Sequence, residues 1–263
     1  MRKLKESRRD FLKALGAGAT ALVASGSLAV ERAASGRKPH LVTLSFDDGF
    51  KKSFLRTAEI YEKRKLSACL NVVAAGIPED AYIKQSPLGD FGLWNELQAR
   101  GHEVMPHGYQ HENLRNLPLE KAQELVRRCL DVFGQKLAGF DAKRAVFNFP
   151  YNASTPELER WLPTQVLAFR TGGSAINLLP RKGQPKLTCT SYGPGNCEAA
   201  IDREVEKLLA SESGWLIFNT HGLDDEGWGP IRATYLESLL DRLLARETVD
   251  VLPAGRALAK YAG

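Results

Sequence analysis

Four cysteines in 263 residues, with no CxxC pair among them, argue against a thiolate zinc site. Histidine is equally sparse, with five in the whole chain. A basic surface is missing too. The net charge is +5, but Arg2, Lys3, Lys5, Arg8, Arg9 and Lys13 against Glu6 and Asp10 supply +4 of it. No basic run remains to neutralise phosphates, so a nucleic-acid partner has no support. The one extended apolar run, Ala14 to Val30, is too rich in Gly, Ala and Ser to make a stable membrane span. No internal repeat or linker suggests a second domain.

What is present begins with that N-terminal segment. A basic head followed by a weakly apolar run has the order of an export signal. Ser7-Arg8-Arg9-Asp10-Phe11-Leu12-Lys13 resembles the twin-arginine signal, which implies a bacterial protein that engages the export machinery already folded and ends in the periplasm or outside the cell. Cleavage is expected near Ser27-Leu28-Ala29 or anywhere up to Ser35. Residues 1–35 are therefore read as signal and short linker, and residues 36–263 as a single domain. Cys69 lies in a strand-like run and Cys129 in a helical one, so both are expected to be buried thiols. Cys189 and Cys197 flank the turn-rich TCTSYGPGNCE, where a disulfide is an open alternative to two thiols in an oxidising compartment.

From about residue 37 onward, short β-rich runs alternate with helical patterns. HLVTLSF (40–46) precedes a helix over 53–65 with Phe54, Ala58 and Tyr61 on one face. CLNVVAAG precedes a helix near 93–100, EVMPH one over 119–137, AVFNFPY one over 155–162, and VLAFRTGG a less regular stretch containing LTCTSY. A helix over 199–211, WLIFNTHG, a helix over 234–246, VDVLP and a short last helix complete the chain. Such alternation requires parallel strands with crossover helices, and seven or eight strands in this length favour a (β/α) barrel over an open sheet. In a barrel the carboxyl ends of the strands form one rim where sites are built. Asp47 and Asp48, His107, Pro150 and Tyr151, Arg170, and His221 all fall at strand ends.

The stretch HGYQHENL carries two histidines, His107 and His111, at i and i+4, a spacing that chance alone supplies in about one such chain in ten. FDDG places two carboxylates directly after an apolar strand; alone it reads equally as a solvated Asp-Gly turn. On one rim the two motifs suggest a division of labour. One carboxylate binds a divalent metal with two imidazoles and the other stays free to take a proton. His40 and His102 match no motif and are read as structural or surface residues.

These residues resemble the polysaccharide deacetylases of carbohydrate esterase family four. FDDG is similar to that family's first motif, HGYQH to its second, FNFPYN to its third in the FAYPYG variant, and THG after WLIF to its fifth, over about residues 41–261. The resemblance implies a distorted, commonly seven-stranded (β/α) barrel and a metal-dependent hydrolase that removes an acetyl group, N-acetyl more than O-acetyl, from a glycan or amino sugar. It implies Asp47 as general base, Asp48, His107 and His111 as ligands of one divalent metal (zinc by default, with cobalt, nickel or iron acceptable to the same ligands), the Tyr151 backbone N–H as oxyanion donor, and His221 as acid. Two departures stand out. Where the family has an arginine two residues before the proline of the third motif, this chain has Asn148, and Arg170 is the candidate to supply that charge, a surface salt bridge being the alternative. Where the family has a leucine two residues before the last histidine, lining the acetyl pocket, this chain has Asn219. Pro150, Tyr151, Trp228 and Asp225 are the candidate substrate contacts, with Trp228 read either as a sugar platform or as loop packing. A non-catalytic glycan-binding protein on the same barrel and a metal amidohydrolase of a non-sugar substrate are the competing readings.

Overall fold

The computed structural model describes residues 37–78 and 86–262, so the export-signal reading and its cleavage point lie outside the described residues. Among the described residues no helix is long and apolar enough to cross a membrane.

The first strand, β1 (His40–Phe46), is buried at every position, as a central parallel strand covered on both faces must be. One edge pairs with β8 (Gly214–Thr220) along its whole length, from His40 opposite Gly214 to Phe46 opposite Thr220. The other edge is shared. Its first half pairs with β9 (Val249–Val251) and its last two residues with β2 (Cys69–Val72), which in turn pairs with β3 (Glu103–Pro106). A second sheet holds β4 (Val146–Asn148), β5 (Ala168–Gly172) and β7 (Lys186–Cys189), all parallel. It meets the first sheet through a single bridge, Thr190 to Phe218, where the Asn219 N–H donates to the Thr190 carbonyl at 2.9 Å. On the opposite side, β3 and β4 share no ladder. Asn148 Nδ2 donates to the Pro106 carbonyl (3.4 Å) and the Val146 N–H to Met105 Sδ (3.4 Å). The result is a distorted (β/α) barrel whose wall is β1, β2, β3, β4, β5, β7 and β8, seven strands as expected, with one seam closed by side chains instead of a ladder. The two-residue antiparallel β6 (Ile176–Asn177) beside β8 was not expected; so short a strand carries no periodicity.

The crossover helices are α1 (Lys51–Glu62), α2 (Phe91–Ala99), α3 (Leu119–Lys136), α4 (Pro156–Trp161), α5 (Cys197–Ala210), α6 (Ala233–Leu244) and α7 (Ala254–Ala262). The longer helices bear an apolar stripe, as expected for α1. In α1 it includes Phe54, Ala58 and Tyr61, and in α3 Ala122, Leu125, Val126, Cys129 and Phe133, the three-and-four spacing that keeps one face on the barrel. All four cysteines are free and buried. Cys189 and Cys197 therefore form no disulfide; Cys197 Sγ instead donates to the Tyr192 carbonyl at 2.6 Å, and Cys189 Sγ to Asn152 Oδ1 at 3.2 Å.

Candidate active site

The carboxyl ends of the strands open into one cleft of about 490 Å³, lined by Asp47, Asp48, Phe50, Ile77, His107, His111, Tyr151, Asn152, Ser191, Asn219, His221 and Trp228. Residues more than 170 positions apart in sequence share it because parallel strands deliver their ends to the same rim.

Asp47 and Asp48 are adjacent in sequence but sit in opposite environments. Asp47 directly follows β1 and is wholly buried. Its Oδ1 accepts from Asn71 Nδ2 (2.7 Å) and Arg170 Nη1 (3.2 Å), and its Oδ2 from Arg170 Nη2 (2.5 Å) and Asn219 Nδ2 (2.6 Å). Burial alone would raise the Asp47 carboxyl. The charges on Arg170 and His107 outweigh it and hold the group below its ordinary value. The chain then turns left-handed, with Asp48 at φ 76° and Gly49 at φ 96°. This swings the Asp48 carboxylate out of the donor cluster, and its Oδ1 is buried with no hydrogen-bond partner.

That oxygen faces two imidazoles, 3.4 Å from His107 Nε2 and 3.3 Å from His111 Nε2. His107 directly follows β3, and its Nδ1 lies 2.9 Å from the Asn148 carbonyl, an acceptor that fixes the ring with Nδ1 protonated and turns Nε2 toward Asp48. His111 reaches the same point through a left-handed backbone, φ 61°. Gly108, at φ 82° between the histidines, lets this loop lie against the next turn: a Cβ there would stand 2.7 Å from Pro150 Cγ. Burial and the charge on His107 press His111 down to about 4, so its ring is neutral at neutral pH. His107 moves the other way, burial being overcome by Asp47 and Asp48.

Asp48, His107 and His111 are the only cluster among the described residues whose ligand atoms lie close enough for one ion, all within 4.8 Å of one another. The set fits a divalent cation. Ligand atoms about 2.0–2.2 Å from a tetrahedral ion lie about 3.3–3.6 Å apart, which matches the two carboxylate-to-imidazole distances, and a buried unpaired carboxylate oxygen is the charge such an ion would satisfy.

Tyr151 follows Pro150 in a tight turn and is itself left-handed, φ 57°, as is Asn152, φ 51°. Two consecutive non-glycine residues in this region mark a backbone held by its surroundings. Tyr151 is 62% exposed, and its ring stands 4.6 Å from the His111 ring. Across the cleft lining, His221 follows β8, with the Trp228 ring perpendicular to it at 5.4 Å between centroids; Trp228 is 43% exposed.

The structure brings Asp47, Asp48, His107, His111, Tyr151, His221 and Trp228 to one cleft. Arg170 is no surface residue; it lies buried beneath the cleft, against Asp47. Pro150 is buried under the rim. Asp225 is a correction. It points away to the exterior, 2.6 Å from Lys52 Nζ, because the loop it belongs to is turned by Glu226, which reaches inward to accept the Ser53 N–H at 2.6 Å. His40 and His102 are structural, the first 3.0 Å from the Ser211 carbonyl and the second accepting the Ala68 N–H on Nδ1 at 3.1 Å. Sequence reasoning did not single out Asn71, Asn152 or Ser191. A signal existed for the first, a lone polar residue within the apolar CLNV.

A family model described as polysaccharide deacetylase matches residues 34–162, which contain the Asp47, Asp48, His107, His111 and Tyr151 positions. No curated protein matches the chain. Among solved structures, a family 4 acetyl xylan esterase from Clostridium thermocellum in complex with a cobalt ion is 18% identical, with a TM-score of 0.56 over 83% of this chain and 90% of that one. The chitin deacetylase of the fungal pathogen Colletotrichum lindemuthianum is 15% identical (TM-score 0.57, 84% and 88% covered). A peptidoglycan deacetylase from Bacillus subtilis is 14% identical (TM-score 0.54, 86% and 92% covered). At these identities the structural likeness speaks for the fold. Residues 34–162, just under half of the chain, thus match the polysaccharide deacetylase family model, and the whole described barrel shares the fold of the solved deacetylases.

Proposed function

We propose that this chain is an exported, metal-dependent hydrolase that removes an N-acetyl group from a glycan or amino sugar. The observation that carries the reading is the unpartnered, buried Asp48 Oδ1 facing two imidazole Nε2 atoms, with a second carboxylate beside it that takes no part in that cluster.

Asp48, His107 and His111 would hold the ion, and zinc suits a set of two imidazoles and one carboxylate. Bound there, a divalent ion supplies Lewis acidity toward an acyl oxygen and toward water. The chain's own groups do the rest. Asp47, whose Oδ2 lies 3.5 Å from His107 Nε2, takes a proton from the attacking water. The Tyr151 backbone N–H, presented by the left-handed turn, donates to the oxygen on which charge develops, a contribution of about 3–4 kcal/mol for one such donor. His221 delivers a proton to the departing nitrogen. An amide needs that acid, since an unprotonated amine leaves poorly, and this favours N-acetyl over O-acetyl. Tyr151 and Trp228 offer exposed ring faces on which a sugar can stack. The basic head and apolar run of residues 1–30 support export.

Acetate release from a panel of acetylated glycans and N-acetylglucosamine oligomers, with and without a chelator, tests this reading. The wild type is expected to release acetate only when loaded with a divalent ion, and Asp47→Asn to keep its metal while losing at least about 10³-fold in turnover. Chelator-insensitive release, or an Asp47→Asn variant of wild-type rate, would overturn it. Glycan binding without any release would put the non-catalytic reading in its place.

A further inference from the structure

Asn219 is 2% exposed and lies beside Asp47 on β8, between two groups that both face the cleft. Its amide orientation is forced. A carboxylate only accepts, so the NH2 must face Asp47, where Nδ2 donates to Oδ2 at 2.6 Å. The amide oxygen then faces Asn152, whose Nδ2 donates to it at 3.2 Å. Asn152 is oriented in turn, its Oδ1 accepting from Cys189 Sγ at 3.2 Å. The donors therefore run one way, from the Cys189 thiol through Asn152 and Asn219 to Asp47. The start of this chain is anchored on β7 and its end directly after β1, while Asn152 belongs to the left-handed Tyr151–Asn152 turn, and its carbonyl accepts from Thr171 Oγ1 at 3.1 Å.

Resting on the function proposed above, we propose that Asn219 is a positioning residue that couples this turn to Asp47. It holds Oδ2, the base oxygen nearer to His107, in a fixed relation to the Tyr151 N–H, so that proton acceptor and oxyanion donor keep one separation. Arg170 fixes the charge of Asp47 from below; Asn219 fixes its bearing relative to the turn. A displacement of about 1 Å between such groups is enough to cost about 10²-fold in rate.

The test is a double-mutant cycle with Asn219→Leu, close in size but unable to bond, and Asn152→Ala. Each single variant is expected to lose about 10- to 100-fold in kcat for N-acetylglucosamine oligomers, with KM and bound metal within about twofold of wild type. The double variant should lose no more than the worse single. Losses that multiply, or that appear in KM or metal content, overturn the coupling. Side-chain amide hydrogen exchange gives a readout that needs no turnover. The Asn219 NH2 protons should exchange slowly in the wild-type protein and at least about tenfold faster in Asn152→Ala. Unchanged protection in Asn152→Ala overturns the coupling even if the wild type releases no acetate, and also decides the matter if Asn219→Leu fails to fold.

Discussion

The two halves of the cleft solve the problem of a buried carboxylate in opposite ways. The half around Asp47 is built on strands. Ser45, Asn71, Asn148, Arg170 and Asn219 project from five strands of the barrel wall, and their bonds close on one another: Asn148 Nδ2 donates to Asn71 Oδ1 (2.9 Å), while Asn71 Nδ2 and Arg170 Nη1 both donate to Ser45 Oγ (2.6 and 3.0 Å). The half around Asp48 is built on loops, two of its three members in left-handed backbone, and its central oxygen has no partner. One charge is balanced by the protein itself, the other by whatever cation enters. The difference teaches where stability and where binding reside. The Asp47 half should stand without metal, and the Asp48 half should contribute to stability only with it.

Arg170→Gln should break this contrast most severely. Removing one partner of a buried pair leaves the other charge uncompensated, at a cost of about 3–5 kcal/mol. Urea unfolding of the metal-free protein should show a loss of that order. In the wild type Asp47 lies below its ordinary value of 3.8, so the pair's contribution is present above that pH and fades as the pH falls through the lowered value. Without the guanidinium, burial is opposed mainly by the charge on His107 and the carboxyl rises from its lowered value, so the acid limb of kcat/KM should move to higher pH. An unchanged limb would mean that Arg170 is not what keeps Asp47 ionised.

His111→Ala probes the other half and should do the reverse. In metal-free protein its effect on unfolding should stay below about 1 kcal/mol, since the side chain stands at the rim and its ring is already neutral. The effect should appear on adding zinc. The wild type gains about 2.7 kcal/mol at an ion concentration one hundred times its Kd, and the variant, with one ligand fewer, should gain far less at that concentration. Equal stabilisation of both proteins by zinc would place the ion elsewhere.

How much of this was legible follows the same division. The rim was readable because strand ends announce themselves: β1 was expected over 40–46 and is found there, and the motif residues sit where an apolar run stops. The network beneath was less readable. Ser45, Asn71, Asn148, Arg170 and Asn219 each lie within two residues of the carboxyl end of an apolar strand, and β1 and β8 place Ser45 opposite Asn219 while β4 and β5 place Asn148 opposite Arg170. A single polar residue in a buried strand is a sign of an internal partner, but which of five such residues meet is a matter of register, and no local pattern carries it. The absence of a ladder between β3 and β4 was hidden for the same reason. Asp225 misled because proximity in sequence to His221 says nothing about which way a turn faces once Glu226 has been drawn inward to the start of α1.

Trp228 gives the smallest expected effect and the sharpest distinction between binding and chemistry on the His221 side. Its ring stands perpendicular to that of His221, and the residue is 43% exposed, which leaves surface for a sugar to stack on. A stacking contact is worth about 0.5–1.5 kcal/mol, so Trp228→Ala should raise KM for N-acetylglucosamine oligomers by about 2- to 13-fold with kcat little changed, the signature of binding lost equally in ground and transition states. A fall in kcat at constant KM would instead mean that the indole serves to hold the His221 ring in place, and would move Trp228 from the substrate surface to the support of the proposed acid.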